Sequence, residues 1–207
     1  MKTIQPNKYI LADENTGLII SIGRYHHNNT WEQAHELLQK EDFFMPTISN
    51  MALVSRLLKE KKAKYADGSL INKSEQKRIF NDIYEKRDPY RAEWLDADFK
   101  VINEVLYINY NHRLINGVLK PQNSEKLEDY LMKDKEIDLN SWLNNPTSQG
   151  LPRANIKEGD FNYYAPMKDN NSVAGLRAGA DRSNLNCCRV PFYSIDGLGV
   201  RRAKIFQ

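Results

Sequence analysis

Between Ala174 and Cys188 the chain alternates with a period of two, and the phase of the alternation slips once. Ala174, Leu176, Ala178 and Ala180 are small or apolar, while Gly175, Arg177, Gly179 and Asp181 fill the slots between them. Beyond Asp181-Arg182 the inward set becomes Ser183, Leu185 and Cys187, with Arg182, Asn184, Asn186 and Cys188 outward. A period of two is that of a strand with one packed and one free face, and a single slip requires a turn or bulge that re-aims the chain. Pro191, Ser194 and Leu198-Gly199-Val200-Arg201 continue the framework, with Phe192, Tyr193, Ile195, Asp196 and Gly197 between them. The pattern predicts that Ala174, Leu176, Ala178, Leu185, Cys187, Leu198 and Val200 are buried. It predicts one shared exposed face for Arg177, Arg182, Asn184, Arg189, Phe192, Tyr193 and Asp196.

Upstream, Tyr9-Ile10-Leu11 and Leu18 to Ile22 flank a polar turn and read as a hairpin. Thr30 with Gln33 forms a capping box for a short helix through Leu38, and Thr47 or Ser49 caps a second carrying Ile48, Met51, Val54 and Leu58. Asp67-Gly68 marks a turn, Asn72 with Glu75 opens a third helix, and Asp88-Pro89 reads as the start of a further one with Trp94 and Leu95 inward. Lys100 to Tyr110 is strand-like, and Asn116-Gly117 between Leu114-Ile115 and Val118-Leu119 is a type I′ hairpin signal. Ser124 to Met132 reads as a short helix, and 144–153 as loop. With no repeat or low-complexity linker, residues 1–207 form one domain of mixed α+β class, with 30–99 a mainly helical elaboration.

The two cysteines, Cys187 and Cys188, are adjacent, so no framework of disulfides holds the fold. Lys plus Arg number 30 against 27 Asp plus Glu, a net charge of +3, too small an excess to mark a nucleic-acid or lipid surface. No apolar stretch approaches the length of a membrane span, and the opening M-K-T-I-Q-P-N-K lacks the apolar run of a signal peptide. The default expectation is a soluble, cytoplasmic protein, or one displayed on a virion or cell surface by another route. Phosphate-binding, dinucleotide, zinc-protease and serine-hydrolase signatures are missing. His26, His27 and His35 have no cysteine or carboxylate at zinc spacing, and Asp96 with Asp98 reads as solvated charge. No catalytic residue, metal or cofactor is expected.

From 169 to 203 the sequence contains no Lys, Glu, Gln, Met or Trp. These types supply 46 of the 207 residues, so about eight are expected in such a stretch. Burial alone does not explain the gap, because Arg177, Asp181, Arg182, Arg189, Asp196, Arg201 and Arg202 remain.

The run V-A-G-L-R-A-G-A-D-R-S-N-L-N-C-C-R-V-P-F-Y-S-I-D-G-L-G-V-R, Val173 to Arg201, resembles the variable region of archaeal and viral variable proteins diversified by retroelements. Trp142 to Asn144, Ser148 to Pro152 and Tyr163 to Pro166 are similar to that family's approach to the region; Met45-Pro46 and Trp94 to Phe99 match more weakly. The resemblance covers roughly the last 65 residues. It implies a C-type-lectin-like fold of short strands and long loops, with 171–202 as a variable ligand-binding region. The implied display slots are Gly175, Arg177, Gly179, Asp181, Arg182, Asn184, Asn186, Cys188, Arg189, Val190, Phe192, Tyr193, Ile195, Asp196 and Gly197. In the family, reverse transcription substitutes template adenines, often in AAC or AAT codons. Such codons cannot become Lys, Glu, Gln, Met or Trp, the five types missing here. The chain departs from the pattern at Gly179-Ala180 and Cys187-Cys188, where more polar or aromatic display is expected.

The implied function is binding of an unknown protein or surface ligand of a host or neighbouring cell, without catalysis. Two other readings stand beside it. One is a non-diversified viral or phage structural protein of the same fold. The other is a formylglycine-generating-type oxidase, in which Cys187-Cys188 serve as a catalytic pair with copper.

Overall fold

The computed structural model describes residues 4–206; Met1 to Thr3, part of the opening stretch inspected for a leader, lie outside them. A single helical turn, Pro6–Lys8, leads into the hairpin of β1 (Tyr9–Asp13) and β2 (Leu18–Ser21). Helix α1 (Trp31–Lys40) follows the Thr30/Gln33 capping box, and α2 (Ile48–Lys59) follows a second box in which Thr47 and Asn50 exchange side-chain and backbone hydrogen bonds. Caps of this kind are each worth about 1 kcal/mol. After the two-residue strand β3 (Lys64–Tyr65), Asn72 caps α3 (Lys73–Tyr84) by accepting from the Glu75 N–H.

The chain then enters its longest strand, β4 (Arg91–Ile102), and returns as β5 (Val105–Tyr110). The helix expected after Asp88-Pro89 is therefore a strand, and the helical elaboration ends at Tyr84. The hairpin of β6 (Arg113–Ile115) and β7 (Val118–Lys120) turns at Asn116-Gly117, where φ values of 53° and 76° fit the type I′ geometry that favours this pair. Strand β8 (Asn123–Lys126) pairs with β5, replacing the helix expected from Ser124. Its apolar spacing arises because Leu127, Tyr130 and Leu131 enter the core from irregular chain just beyond the strand. Then come β9 (Lys135–Ile137), the short helix α4 (Leu139–Asn144), β10 (Phe161–Tyr164), β11 (Ser172–Ala178), β12 (Ser183–Arg189), β13 (Leu198–Val200) and β14 (Ala203–Ile205).

These elements make an α+β fold with several sheets and few helices. One sheet has the order β14-β2-β1-β3, so the end of the chain pairs with its opening hairpin. The larger sheet runs β8-β5-β4-β11-β12-β10-β9, with β13 parallel to the first half of β4 while β5 takes the second half. Opposite Val173 to Gly175, β4 spends four residues where β11 spends two, a bulge containing Leu95, Asp96 and Ala97. Its reason is visible locally: the Asp96 N–H leaves the ladder and donates to the Pro46 carbonyl at 2.9 Å. Among the described residues no helix is long and apolar enough to cross a membrane.

Two apolar clusters cover the large sheet. Leu95, Ala97, Phe99, Leu176, Leu185, Cys187 and Tyr163 enter the main core with α2 and α3, while Trp94, Val173, Leu198 and Val200 meet Trp31, Ala34 and Leu38 of α1 on the other side. All seven side chains expected inward, from Ala174 to Val200, are buried; Ala180, a further inward expectation, is exposed in the β11–β12 turn.

The sheet also contains a buried charge network. Glu93 forms ion pairs with Arg201, whose Nε lies 2.8 Å away, and with Arg91, whose NH2 lies 3.2 Å away, and all three side chains are almost fully buried. Asp82 of α3 approaches both arginines, Arg91 donates to the Ile83 carbonyl, and Arg201 donates to the Ser21 and Ile22 carbonyls. Burial alone would raise the Glu93 carboxyl, but Arg201, Arg91 and Arg24 outweigh it and hold it below the ordinary carboxylate range. Charge at these positions thus clamps α3, β4, β2 and the approach to β14 together.

Candidate functional site

The alternation read from the sequence places Gly175 and Arg177 of β11 on the same face as Asn186 and Asn184 of β12, their register partners. On the other side of β11, Gly175 pairs with Trp94 and Arg177 with Ala92. A second bulge, one extra residue on β12 opposite Val173 to Gly175, puts the odd-numbered Arg189 beside Val173 on this face.

A ladder of arginines and aromatic rings results. The Arg177 guanidinium lies 5.1 Å from the Tyr90 ring centre. Arg189 donates to the Tyr90 hydroxyl at 2.9 Å and stacks 5.0 Å over Trp94 and 4.9 Å from Tyr193. At the other end, the β11–β12 turn closes by a Gly179 N–H donating to the Arg182 carbonyl, and Arg182 donates to Tyr164 and to Asp181. Desolvated cation–π contacts are worth roughly 0.5–2 kcal/mol each, enough to hold arginine side chains in one orientation. The loop that carries Phe192 and Tyr193 is tied down at both ends. The Pro191 carbonyl accepts from the Trp31 N–H, and the Gly197 carbonyl accepts from the Ala92 N–H and from Arg24.

The expected slots divide by what the backbone allows. Asp181, Arg182, Phe192, Tyr193 and Asp196 are exposed, Phe192 the most open at 70%. Arg177, Asn186, Cys188, Val190 and Ile195 are half-buried, and Ile195 packs against the α1 cluster. Four expectations of display are corrected. Asn184 is completely buried beneath its neighbours on β10 and β11, and Arg189 is buried by Tyr90, Trp94 and Tyr193. A Cβ at Gly175 would lie 2.9 Å from the Glu93 carbonyl oxygen, and one at Gly197 only 2.5 Å from that of Tyr90, so neither position has room for a side chain. Gly179 is buried as well, but its nearest neighbours are the flexible ends of Arg177 and Asp181 at 3.3 Å.

Cys187 and Cys188 point to different surroundings. Cys187 is in the main core, while the half-buried Cys188 thiol donates to Asn186 Oδ1 at 3.3 Å. Burial pushes both thiols up, the reverse of the shift that makes a nucleophile or a metal-binding thiolate.

Two features escape the sequence reading. One is a cleft of about 450 Å³ walled by Tyr9, Tyr25 and Phe43, in which Arg202 stacks on Tyr25 at 3.7 Å. The other is a buried polar group formed by His35 of α1, Asp96 in the β4 bulge and His112 beyond β5. Asp96, read from sequence as solvated, is completely buried, and only 14% of the Asp98 side chain is exposed. Burial pulls His35 down to about 4, so it is a neutral base. Burial also acts to lower His112, yet hydrogen bonding and charge from Asp96 and Asp98 raise it to about 9. His26 does not join the group and faces Glu41 at 3.4 Å. No local motif could have revealed the site, because its three residues come from distant parts of the sequence.

Comparison with known proteins finds no matching family model, no matching curated relative and no matching solved structure.

Proposed function

We propose that this chain is a ligand-binding protein on a C-type-lectin-like scaffold, in which the surface between Arg177 and Asp196 captures a molecule displayed by a host or neighbouring cell. A retroelement diversifies its exposed side chains. The observation that carries the reading is the arginine–aromatic ladder beside exposed Phe192, in which Arg177, Arg189 and Tyr193 of the segment lacking Lys, Glu, Gln, Met and Trp meet Tyr90 and Trp94. Arginine, tyrosine and tryptophan dominate binding energy at interfaces, and a preordered floor reduces the entropy lost on association. The short strands and long connections agree with the expected scaffold, and the buried inward set keeps the backbone independent of what the outer slots carry.

The display set in this reading is narrower than the composition alone suggests. It comprises Arg177, Asp181, Arg182, Asn186, Cys188, Val190, Phe192, Tyr193, Ile195 and Asp196, with Gly179 open to small changes. Gly175, Asn184, Arg189 and Gly197 belong to the floor.

The coding sequence tests the diversification. The expected result is codons ending in C or T throughout the display set, with a near-copy repeat beside a reverse-transcriptase gene. Purine third bases at most of these slots and no repeat would overturn it, leaving the non-diversified structural protein. Binding is tested separately on an array of cell-surface proteins and glycans. A Phe192→Ser/Tyr193→Ser variant should lose at least about tenfold in capture, the scale of one interface anchor; equal capture by both forms would refute the surface.

A further inference from the structure

Three buried side chains from separate elements meet in the space between α1 and the β4 bulge. His35, Asp96 and His112 each offer one ligand atom, and these atoms lie within 4.8 Å of one another. All three residues are at least nine-tenths buried. We propose that they form a binding site for a divalent first-row transition ion of the zinc class, with a solvent molecule completing the coordination.

Half of the group is self-sufficient. Asp96 Oδ1 lies 2.5 Å from His112 Nδ1, and Asp96 Oδ2 accepts from the His112 backbone N–H at 3.0 Å. An aspartate and a histidine so paired need no further partner. His35 is the surplus member. Its Nε2 has no hydrogen-bond partner among the described residues and is aimed at Asp96 Oδ1 from 3.6 Å, too far for a hydrogen bond. This buried, unpartnered nitrogen faces a carboxylate oxygen across a gap that no described group fills. Two ligands of one tetrahedral zinc ion sit about 3.4 Å apart. A cation between His35 and Asp96 therefore turns an unfavourable contact into two bonds, while ligation by His112 Nδ1 releases to solvent the proton it shares with Asp96 and widens that close contact.

The surroundings fit such an ion. When His112 Nδ1 serves as ligand, its other nitrogen, Nε2, points to Asp98 Oδ1 at 3.7 Å, the carboxylate–histidine–metal arrangement that orients metal-bound imidazoles. That Asp98 oxygen has no hydrogen-bond partner among the described residues and is free to accept from Nε2 once the ring settles on a metal. Trp31 stands edge-on to both imidazoles, with ring centres at 4.4 and 4.9 Å, and supplies an apolar wall. On two sides the group adjoins cavities, Asp96 bordering one of about 240 Å³ and His112 another of about 300 Å³. Two imidazoles and one carboxylate select zinc or a neighbouring transition metal over calcium or magnesium, which prefer all-oxygen sites. Bound there, the ion would tie α1 to β4 and to the chain after β5, behind the Trp94 floor of the proposed binding surface.

The full chain is stripped with chelator, equilibrated with Zn2+ and analysed for metal after gel filtration. One zinc per chain is expected, with affinity unchanged in His26→Gln/His27→Gln and reduced more than about 100-fold in His35→Gln. Crystals of the zinc-loaded wild-type chain, examined by anomalous scattering, provide a readout that does not depend on the variant folding. The expected density lies among His35, Asp96 and His112. Substoichiometric zinc, retention of zinc by a folded His35→Gln variant, loss of it in His26→Gln/His27→Gln, or anomalous density elsewhere alone would each overturn the proposal.

Discussion

Gly175, Gly179 and Gly197 carry the same side chain in the same segment, and the structure predicts different consequences of adding one methyl group to each. None has a positive φ, so alanine meets no backbone penalty at any of the three. Replacing glycine by alanine in an accommodating conformation stabilises by about 0.4–1 kcal/mol, because the unfolded chain has less freedom to lose. Gly179→Ala should show part of that gain, since its neighbours at 3.3 Å are side-chain ends that can move. At Gly197 the new carbon would lie 2.5 Å from the Tyr90 carbonyl oxygen and 2.7 Å from its ring, and the Gly197 carbonyl is already held by Ala92 and Arg24. At Gly175 the obstacle is the Glu93 carbonyl oxygen at 2.9 Å, inside the sheet. Overpacking of this kind costs about 1–3 kcal/mol. For a chain of 207 residues this lowers the thermal midpoint by about 2–4 °C per kcal/mol. Calorimetric and urea unfolding of the three variants should therefore rank Gly179→Ala at or above the parent, Gly175→Ala below it and Gly197→Ala lowest. Three midpoints within about 1 °C would refute the assignment of Gly175 and Gly197 to a rigid floor, and would return both to the set of positions free to vary.

Other perturbations probe the frame around that floor. Glu93→Gln leaves Arg91 and Arg201 with only the half-buried Asp82 as counter-charge and should cost about 3–5 kcal/mol by urea unfolding; a loss under 1 kcal/mol would mean that Asp82 and the carbonyls satisfy the arginines. The carboxyls of Glu93 and Asp82 are held below their ordinary values of 4.5 and 3.8 despite burial, because the surrounding arginines favour the charged forms. Their stabilisation is complete above those values and is lost as pH falls through the lowered ones. The midpoint should therefore drop more steeply below pH 4.5 in the parent than in Glu93→Gln, and parallel pH profiles would contradict the network. Leu185→Ser removes a fully buried side chain and should cost about 2–5 kcal/mol, whereas Phe192→Ser, at a side chain 70% exposed, should cost under about 0.5 kcal/mol; similar losses by thermal melting would erase the distinction between frame and display.

Elements governed by short-range chemistry were legible in the sequence. The caps at Thr30, Thr47 and Asn72, the Asn116-Gly117 hairpin and the alternation from Ala174 to Cys187 each involve residues within a few positions of one another. Strand β4 was not, because both its faces are covered and its charged residues find partners far away: Glu93 meets Arg201, and Asp96 meets His35 and His112. Without alternation, a run containing Arg91, Glu93, Trp94, Leu95 and Asp96 has no strand signature. The six-residue helix α4, capped by Asp138, is too short to show a period. In the candidate surface, the side of each residue was legible up to the β12 bulge. Burial of Asn184 and Arg189 was not, since it depends on β10 and on Tyr90 and Trp94 from β4 and its approach.

The same strands that hold the core also present the surface, and this arrangement determines how much variation the fold can absorb. In β11 and β12 every second side chain is committed to the main core, and the bulge opposite Val173 commits Arg189 as well by seating it on Trp94. On the proposed reading, diversity on this scaffold is confined to Arg177 on β11, the turn at 179–182, the outer face of β12 and the chain from Val190 to Asp196. These places share one property: their backbone is fixed by the pairing of β12 with β10 and β11 and by backbone hydrogen bonds from Gly179, Trp31, Leu198 and Ala92, none of which involves a displayed side chain. A side chain exchanged there alters the chemistry of the rim without altering the path of the chain. On the proposed reading, the arginine–aromatic floor would stay constant and supply binding energy that any rim can use. Affinity on the proposed surface would then have a general component, set by Tyr90, Trp94 and Arg189, and a selective one, set by the residues around them. Changes to Tyr90 should therefore weaken every variant of the surface, whereas changes to Phe192 or Arg182 should redirect individual ones.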